Sequence, residues 1–315
     1  MAQSLIPALR IGSRGSPLAL VQAREVQNRL ANATGLNPAQ IEIKVIRTTG
    51  DAIQDRPLAD TGGKGLFTNE IEEALLAGTI DLAVHSSKDM PTVLPGGLIL
   101  SAFLPREDPR DAFIGRATNP SAKTLRDLPR GAVVGTASLR RQALVKHLRP
   151  DLKIVPLRGN VETRLRKLEA GDFDATILAV AGLKRLGLLA AATSFLDAEE
   201  FVPAVGQGAI GIETRESDDK TRALVAQIDD ADTATALAAE RAFLAVLDGS
   251  CRTPIGGHAR VIGETIRFRG LIAKTDGSEV VEVTREGRAG DATKLGADAG
   301  HDLKARAGAG FFAEN

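Results

Sequence analysis

Two periods of hydrophobic and polar residues alternate along the first two thirds of the 315-residue chain. Residues 41–45 read IEIKV, in which every second side chain is apolar, as in a strand with one buried face. Residues 19–30 carry apolar side chains at the spacing of one helix face. Ser16 and Pro17 precede this stripe and are typical of an N-cap and a first helical position. Strand and helix therefore follow one another from the start of the chain.

The same alternation recurs through the first two thirds of the sequence. It predicts strands at residues 9–12, 41–45, 82–84, 132–134, 153–155, 175–178 and 209–213, with helices that begin at residue 17 or span residues 69–77, 138–148 and 161–170. A repeated βαβ order is typical of a doubly wound, largely parallel sheet. Pro105 and Pro109 interrupt it midway, and we expect a second sheet of the same kind after them.

The C-terminal part of the chain has a different order of elements. Its pattern predicts a helix at residues 233–247, strands at 259–262, 265–272 and 279–285, and a terminal helix rich in Ala and Gly. Consecutive strands favour an antiparallel sheet in a small α+β domain. Because 315 residues exceed one ordinary core, we expect two or three domains from the length, and the change of pattern favours three. We expect two α/β domains, at residues 1–104 plus 208–226 and at 105–207, and the α+β domain at 227–315.

Composition excludes several classes of protein. Trp and Tyr are absent, so stacking platforms for nucleic acid are not expected. No apolar run approaches the ~20 residues of a membrane span, and charged residues interrupt the first thirty residues, where a signal peptide would need an apolar core. A single Cys excludes a disulfide framework and is typical of a reducing compartment. We therefore predict a cytoplasmic protein that binds neither nucleic acid nor membrane.

The net charge of zero conceals a local excess of positive charge. Residues 126–185 hold thirteen Lys/Arg and six Asp/Glu, a balance of 13 − 6 = +7, so the rest of the chain carries −7. Scattered charge usually marks a solvated helix face. The pair Arg140-Arg141, directly after a predicted strand, is less scattered and favours a local anionic ligand.

Polar residues follow the predicted strands where an open α/β sheet binds its ligands. Arg14 and Ser16 follow the first strand, residues 85–89 the third, residues 136–141 the strand at 132–134, and Arg158 the strand at 153–155. We expect a cleft between two α/β domains that is lined by arginines. The planar guanidinium fork suits carboxylates better than lysine does, so the cleft predicts a small polycarboxylate ligand.

Asp89 is the carboxylate of this cleft, next to Lys88 and before Met90-Pro91. An ionised carboxylate in a cleft of arginines could stabilise a cation that develops during a reaction. The alternative is an exposed ion pair with Lys88, which would contribute ~0–1 kcal/mol and need no particular position. The sequence pattern leaves both open.

Cys251 is the only cysteine and lies in GSCRTPIGG, residues 249–257. A lone thiol can pack in a core, act as a nucleophile or carry a covalent group, and packing is the commonest use. Here the glycines and the proline predict an exposed turn, and Arg252 favours the reactive thiolate. We therefore predict an accessible, reactive cysteine on a loop.

Three other motifs are weaker. GQGAIG at residues 206–211 matches a dinucleotide fingerprint as a string, but a β-alternating run follows it where the fingerprint needs a helix. GGKG at residues 62–65 lacks the P-loop spacing and favours a glycine-rich lid. His85 has no partner at metal-ligand spacing, so we predict a structural histidine and no metal.

With these residues the sequence resembles the porphobilinogen deaminase family. The matching segments lie at residues 14–20, 62–67, 85–89, 106–113, 139–141, 157–164, 177–183, 203–209 and 251–256. The resemblance implies two doubly wound domains like those of periplasmic binding proteins, followed by a small α+β domain. It implies a transferase with a dipyrromethane cofactor, attached by a thioether to Cys251. Four porphobilinogen molecules would be added head to tail with loss of ammonia, and water would release 1-hydroxymethylbilane.

The resemblance also assigns roles to residues. Asp89 matches the catalytic aspartate, and residues 48–64 match a loop that covers the cleft. The residues matched to cofactor binding are Ser86, Lys88, Asp89, Thr136, Ser138, Arg140, Arg141, Arg164 and Gly208. Those matched to substrate binding are Arg14, Ser16, Lys64, Phe67, Arg158, Arg164 and Gln207. Relatives of this kind are expected to be monomers.

One alternative belongs to another class of protein. A non-enzymatic protein of the periplasmic-binding type, specific for a small polycarboxylate, would share the two-lobed architecture. The charged N-terminal residues and the loop-borne Cys251 favour the enzyme.

Overall fold

The computed structural model describes residues 8–52, 65–118, 122–248 and 253–308, together with Phe311. Its strands are β1 (Leu9–Arg14), β2 (Ile41–Ile46), β3 (Leu82–Ser86), β4 (Leu98–Phe103), β5 (Asp111–Gly115), β6 (Val133–Gly135), β7 (Lys153–Val155), β8 (Ala175–Ala179), β9 (Ser194–Phe195), β10 (Ile210–Arg215), β11 (Ile255–Ile262), β12 (Thr265–Ala273) and β13 (Val280–Arg288). Its α-helices are α1 (Pro17–Thr34), α2 (Thr49–Ala52), α3 (Asn69–Leu76), α4 (Leu139–Leu148), α5 (Val161–Ala170), α6 (Val180–Arg185), α7 (Asp219–Val225), α8 (Ala231–Val246) and α9 (Ala292–Ala307).

The first sheet has the strand order β2-β1-β3-β10-β4. β1 is parallel to β2 and β3, whereas β10 is antiparallel to both of its neighbours. Four of the five strands therefore point the same way. This confirms the predicted largely parallel, doubly wound sheet. The pattern at residues 209–213 predicted the strand β10 but not its antiparallel direction.

The second sheet repeats this plan with the order β7-β6-β8-β5-β9. β6 is parallel to β7 and β8, and β5 runs against β8 and β9. The chain leaves the first sheet through residues 104–110, here called the outgoing crossover, and comes back through residues 203–209, the returning crossover. The two sheets are therefore joined by two stretches of chain, as in a two-lobed α/β protein.

The third sheet is antiparallel, in the order β11-β12-β13, and confirms the predicted C-terminal α+β unit. Its core packs against α8 and α9, with the rings of Phe243 and Phe268 4.9 Å apart between centroids. β11 begins earlier than expected, because Gly256 and Gly257 belong to the strand and not to an exposed turn. A Cβ on Gly257 would lie 2.9 Å from a methyl group of Val205, so this glycine permits close packing.

Several helices begin just after a parallel strand ends, at the edge where open α/β sheets bind their ligands. The side chain of Ser16 accepts a hydrogen bond from the N–H of Ala19 and caps α1. Ser138 caps α4 in the same way through the N–H of Arg141. These caps satisfy N–H groups that a helix start leaves unpaired. The sequence therefore brings helix N-termini and their polar caps to one edge of each sheet.

Glu240 on α8 joins the three sheets. Its fully buried carboxylate accepts hydrogen bonds from Arg106 in the outgoing crossover, at 3.1 Å for the Nη2–Oε2 pair, and from the N–H of Gly206 in the returning crossover, at 2.7 Å. It also accepts one from the N–H of Ala259 in β11, at 2.8 Å.

Among the described helices, none is both long and apolar enough to cross a bilayer.

Candidate active site

A cavity lies at the carboxyl ends of β1 and β3. Arg14, Ser16, Phe67, Ser86 and Asp89 are all among its lining residues. Each was predicted from the sequence: Arg14 and Ser16 after the first strand, Ser86 and Asp89 after the third, and Phe67 through the family resemblance. Strand direction explains why the residues after β1 and β3 lie together, because parallel neighbouring strands end at the same edge of the sheet.

Arg14 is held in place by a residue that the sequence analysis did not single out. Its guanidinium pairs with both carboxylate oxygens of Asp51, each 3.2 Å from Nε, and it lies over the ring of Phe67 at 4.1 Å. The hydroxyl of Thr48 donates to the same carboxylate at 2.8 Å. Burial acts to raise the pKa of Asp51, but the hydrogen bonds from Arg14 and Thr48 leave that pKa below its ordinary value. The only signal for Asp51 in the sequence was an acidic side chain within residues 48–64, the segment matched to a loop that covers the cleft.

Lys88 and Asp89 belong to a 3-10 helix, Ser87–Asp89, which directly follows β3. Both side chains are half-buried. Burial lowers the pKa of Lys88, and the field of Arg141 and Arg140 lowers it further, while Asp89 and Asp111 oppose these effects. Lys88 therefore lies within electrostatic reach of two arginines of α4, which belongs to the second α/β unit.

Arg140 and Arg141 are almost completely buried, 4% and 5% exposed. Both pair with Asp111, the first residue of β5, at 2.8 Å from Nη2 of Arg140 and 2.7 Å from Nη2 of Arg141. Burial alone would raise the pKa of Asp111, but the two arginines lower it to about 2. Their pairing with a carboxylate of the chain itself was not predicted from the sequence.

Main-chain carbonyls complete the hold on these arginines. Nη1 of Arg140 donates to the oxygen of Val202 at 2.7 Å, and Nη1 of Arg141 donates to that of Ile177 at 2.8 Å. Nε of Arg140 is buried and has no hydrogen-bond partner within the described ranges. A buried guanidinium N–H without a partner is a group that an anionic ligand can satisfy.

Arg164 belongs to the same electrostatic cluster. Its Nε donates to the carbonyl of Gly159 at 2.8 Å. Burial lowers its pKa to about 10, with further lowering by Arg141 and Arg158 and an opposing effect of Asp89. Asp89 of the first α/β unit therefore lies within electrostatic reach of Arg164 of the second.

Gln207 and Gly208 lie in the returning crossover and do not line the Arg14 cavity. The buried amide of Gln207 donates to the carbonyl of Pro109 at 2.7 Å and to Asp111 at 3.0 Å. Gly208 has a φ of 90°, and a Cβ there would lie 2.3 Å from the carbonyl oxygen of Glu107. Its own carbonyl accepts from Nη2 of Arg185 at 3.0 Å, an arginine that the sequence analysis did not assign.

Thr136 and Ser86 make hydrogen bonds within the protein that fix their own positions. The hydroxyl of Thr136 accepts from the N–H of Ser138 at 3.2 Å and so stabilises the turn before α4. The hydroxyl of Ser86 pairs with the amide of Gln22 at 2.9 Å. Lys64 and Cys251 lie outside the described residues, as does most of the segment at residues 48–64.

His85 has the structural role that the sequence predicts. Its Nε2 lies 3.1 Å from Oε2 of Glu213 on β10, and both side chains are buried. Across the ranges that the structure describes, no three His, Cys, Asp or Glu side chains form a group that could hold a metal ion.

Comparisons with known proteins agree along almost the whole chain. Residues 9–223 match the family model described as porphobilinogen deaminase, dipyromethane cofactor binding domain, and residues 234–305 match the model of the porphobilinogen deaminase C-terminal domain. The porphobilinogen deaminase of Nitrobacter winogradskyi is 66% identical over 302 residues, which cover 96% of this chain and 94% of that protein. The porphobilinogen deaminase of Nitrobacter hamburgensis is 65% identical over the same lengths.

Likeness to solved structures is weaker. The substrate binding domain 2 of Lactococcus lactis GlnP is 12% identical and has a TM-score of 0.41, over 71% of this chain and 88% of that one. The periplasmic VFT2 domain of Bordetella pertussis BvgS is 16% identical and has a TM-score of 0.40, over 70% of this chain and 86% of that one.

Proposed function

Because the chain belongs to the porphobilinogen deaminase family, we propose that the cleft around Asp89 is where it carries out its reaction. The protein is a transferase of tetrapyrrole biosynthesis. It condenses four porphobilinogen molecules head to tail, with loss of ammonia, on a dipyrromethane cofactor, and hydrolysis then releases 1-hydroxymethylbilane. A non-enzymatic protein for a small polycarboxylate is not favoured by these relatives.

One observation supports this location above the others. Asp89 lines the same cavity as Arg14, Ser16 and Phe67 from the first sheet, and its charge also acts on Arg164 from the second. A carboxylate between two sets of cations can face a substrate whose reacting centre becomes positive while its side chains stay negative. That charge pattern is the one that porphobilinogen presents, since each pyrrole carries an acetate and a propionate.

The residues of the cleft fit a dipyrromethane. Two pyrrole units bring four carboxylates, and Lys88, Arg140, Arg141 and Arg164 supply cations within electrostatic reach of one another. Nε of Arg140 and Oγ of Ser87 are buried without a hydrogen-bond partner in the described part of the chain, so each still has a hydrogen bond to donate. When bound, the cofactor supplies the pyrrole carbon to which the first substrate is joined. We assign the contacts to its carboxylates to these four cations, helped by Ser86, Thr136, Ser138 and Gly208.

Asp89 has the catalytic role in this proposal. Loss of ammonia from the substrate leaves a positive charge that the pyrrole nitrogen shares. A fixed carboxylate beside that nitrogen stabilises the charge without reorganising during the reaction. Cys251 carries the cofactor through a thioether, which fits its predicted accessibility and the neighbouring Arg252.

The substrate side of the proposal begins at Arg14. Its guanidinium lies at the cavity wall over Phe67, and a helix N-terminus capped by Ser16 lies beside it. An arginine and a helix start both favour an anionic group. The other residues that we assign to the incoming substrate are Lys64, Arg158, Arg164 and Gln207.

The architecture supports the domain division expected from the sequence. We propose one α/β domain at residues 1–104 and 208–226, a second at 105–207, and the α+β domain at 227–315. We also propose a cytoplasmic monomer of heme biosynthesis that uses no metal and binds neither nucleic acid nor membrane.

Intact-mass spectrometry and a turnover assay test the proposal together. The purified protein is expected to exceed its chain mass by one dipyrromethane and to form hydroxymethylbilane from porphobilinogen. After digestion, the added mass is expected on the peptide that contains Cys251. An active protein with its added mass on another peptide would refute the attachment site, and a bare chain without turnover after incubation with porphobilinogen would refute the function.

A further inference from the structure

Asp111 is a fully buried carboxylate that the reaction, as described so far, does not use. It is the first residue of β5, where the outgoing crossover enters the second sheet. Oδ1 accepts from Nε and Nη2 of Arg141, at 3.1 and 2.7 Å, and from Nε2 of Gln207, at 3.0 Å. Oδ2 accepts from Nη2 of Arg140 at 2.8 Å.

These contacts fix the orientation of both guanidinium groups. Arg141 is held along its Nε–Nη2 edge by one carboxylate oxygen, and Arg140 at Nη2 by the other. The carbonyls of Ile177 and Val202 hold the opposite Nη1 atoms. A planar guanidinium fastened on two sides cannot rotate, so its remaining N–H groups have set directions.

The charge in this group is not balanced. Two buried arginines share one aspartate, which leaves one positive charge inside the protein, and the charge of Lys88 lies within reach of the same group. Burying a charge that lacks a partner costs several kcal/mol. A stable protein keeps such an arrangement where a ligand of opposite charge completes it.

We propose that Asp111 is a positioning residue for the cofactor, which fixes Arg140, Arg141 and Gln207 so that the two arginines meet the carboxylates of the dipyrromethane in one orientation. This inference rests on the proposed role of the arginines. The competing explanation is that Asp111 only stabilises the fold, as a buried partner of two cations.

The test measures cofactor attachment rather than activity. Full-length variants are produced in cells that make no porphobilinogen and are then incubated with porphobilinogen, while intact mass follows the gain of dipyrromethane. Asp111→Asn keeps the shape but loses the charge that holds the guanidinium groups. We expect its attachment rate per folded molecule to fall about tenfold or more, the scale of one lost hydrogen bond to a charged group.

Asp81→Asn is the matched control. Asp81 also accepts hydrogen bonds from an arginine, at 3.0 and 2.6 Å from Arg10, but it precedes β3 and so lies at the sheet edge opposite the cleft. Urea unfolding measures the stability of both variants. If Asp111 only stabilises the fold, attachment per folded molecule would match that of Asp81→Asn, and this result would overturn the inference.

Two further variants keep the outcome decisive. Asp111→Glu retains the charge and the ion pairs but moves them by one methylene, so we expect a folded protein with slowed attachment. Normal attachment in folded Asp111→Glu, with Asp111→Asn unfolded, would also count against a positioning role. Arg141→Leu tests the proposed function separately, because it removes the charge, and normal attachment there would mean that Arg141 does not bind the cofactor.

Discussion

At the scale of single residues, the cleft brings together side chains that lie far apart in the chain. Asp89 and Arg14 follow strand ends, and their meeting in one cavity comes from strand direction alone. The enclosure of Arg140 by Asp111 was not predictable, because the two residues are 29 positions apart and only the tertiary fold brings them together. The pairing of Asp51 with Arg14 was not predicted either, because nothing in the sequence pattern links the two residues.

Asp89→Asn tests the electrostatic role at the reacting centre. The amide keeps the shape and the hydrogen-bonding reach but has no charge with which to stabilise the substrate cation. We expect the rate of the cofactor-loaded variant to fall at least ~100-fold, the scale of losing one preorganised transition-state group. Steady-state rates measure this, with Asp89→Glu as the comparison that retains charge. Near-normal turnover of loaded Asp89→Asn would contradict the role.

Cys251→Ser tests the attachment of the cofactor. A hydroxyl has nearly the size of a thiol but is a far weaker nucleophile at neutral pH. The variant is expected to fold, to show the bare chain mass and to have no activity. A serine variant that retained both the added mass and full turnover would show that the cofactor is attached elsewhere.

At the scale of elements, local signals predicted six of the nine described α-helices but not α2, α6 and α7, and tertiary packing determined several strands. α5 was predicted over its full length, because Asn160 caps its start and Gly171, at a φ of 87°, ends it. β5 was not predicted, since it opens on Asp111, and a charged residue in a buried strand is tolerated only because two arginines meet it. The early start of β11 depends on the packing of Gly257, which no local pattern reveals.

The cap of α5 supplies a prediction at this scale. The side chain of Asn160 accepts from the N–H of Thr163 at 2.8 Å, so Asn160→Ala removes one partner of the helix start. We expect the free energy of unfolding to fall by ~1 kcal/mol. Urea unfolding measures the change, and Asn160→Asp is the control because it retains a cap and should stay within a few tenths of a kcal/mol of the parent. Equal losses in both variants would rule out the cap as the cause.

At the scale of the whole molecule, the charge pattern was informative and incomplete. The excess of positive charge at residues 126–185 indicated a local anionic ligand, and within that segment the fold brings Arg164 into electrostatic reach of Arg141. The sequence did not show that Lys88 of the first sheet joins that cluster, because this depends on how two sheets face each other across the crossovers.

Acid stability is a property of the whole molecule in which His258 has a defined part. Burial lowers its pKa to about 4; Arg106 and Arg260 act in the same direction, whereas Glu240 and Glu199 oppose them. In the unfolded chain His258 binds a proton below pH ~6.5, whereas in the folded protein it binds one only below a pH of about 4. Stability is therefore expected to fall as pH drops through this window. Calorimetry of His258→Asn should show a shallower loss, and an unchanged pH profile would contradict the assignment.

The carboxylate of Glu240 has a mechanical consequence. It fastens Arg106 of the outgoing crossover and Gly206 of the returning crossover to one point, next to Ala259 of the third sheet. While these hydrogen bonds are intact, the two crossovers can rotate about that point, but neither can slide past the other. We therefore expect the first two sheets to rotate relative to each other about a hinge at Glu240, so that the cleft widens as the product lengthens. The edge of the third sheet is expected to stay at that hinge.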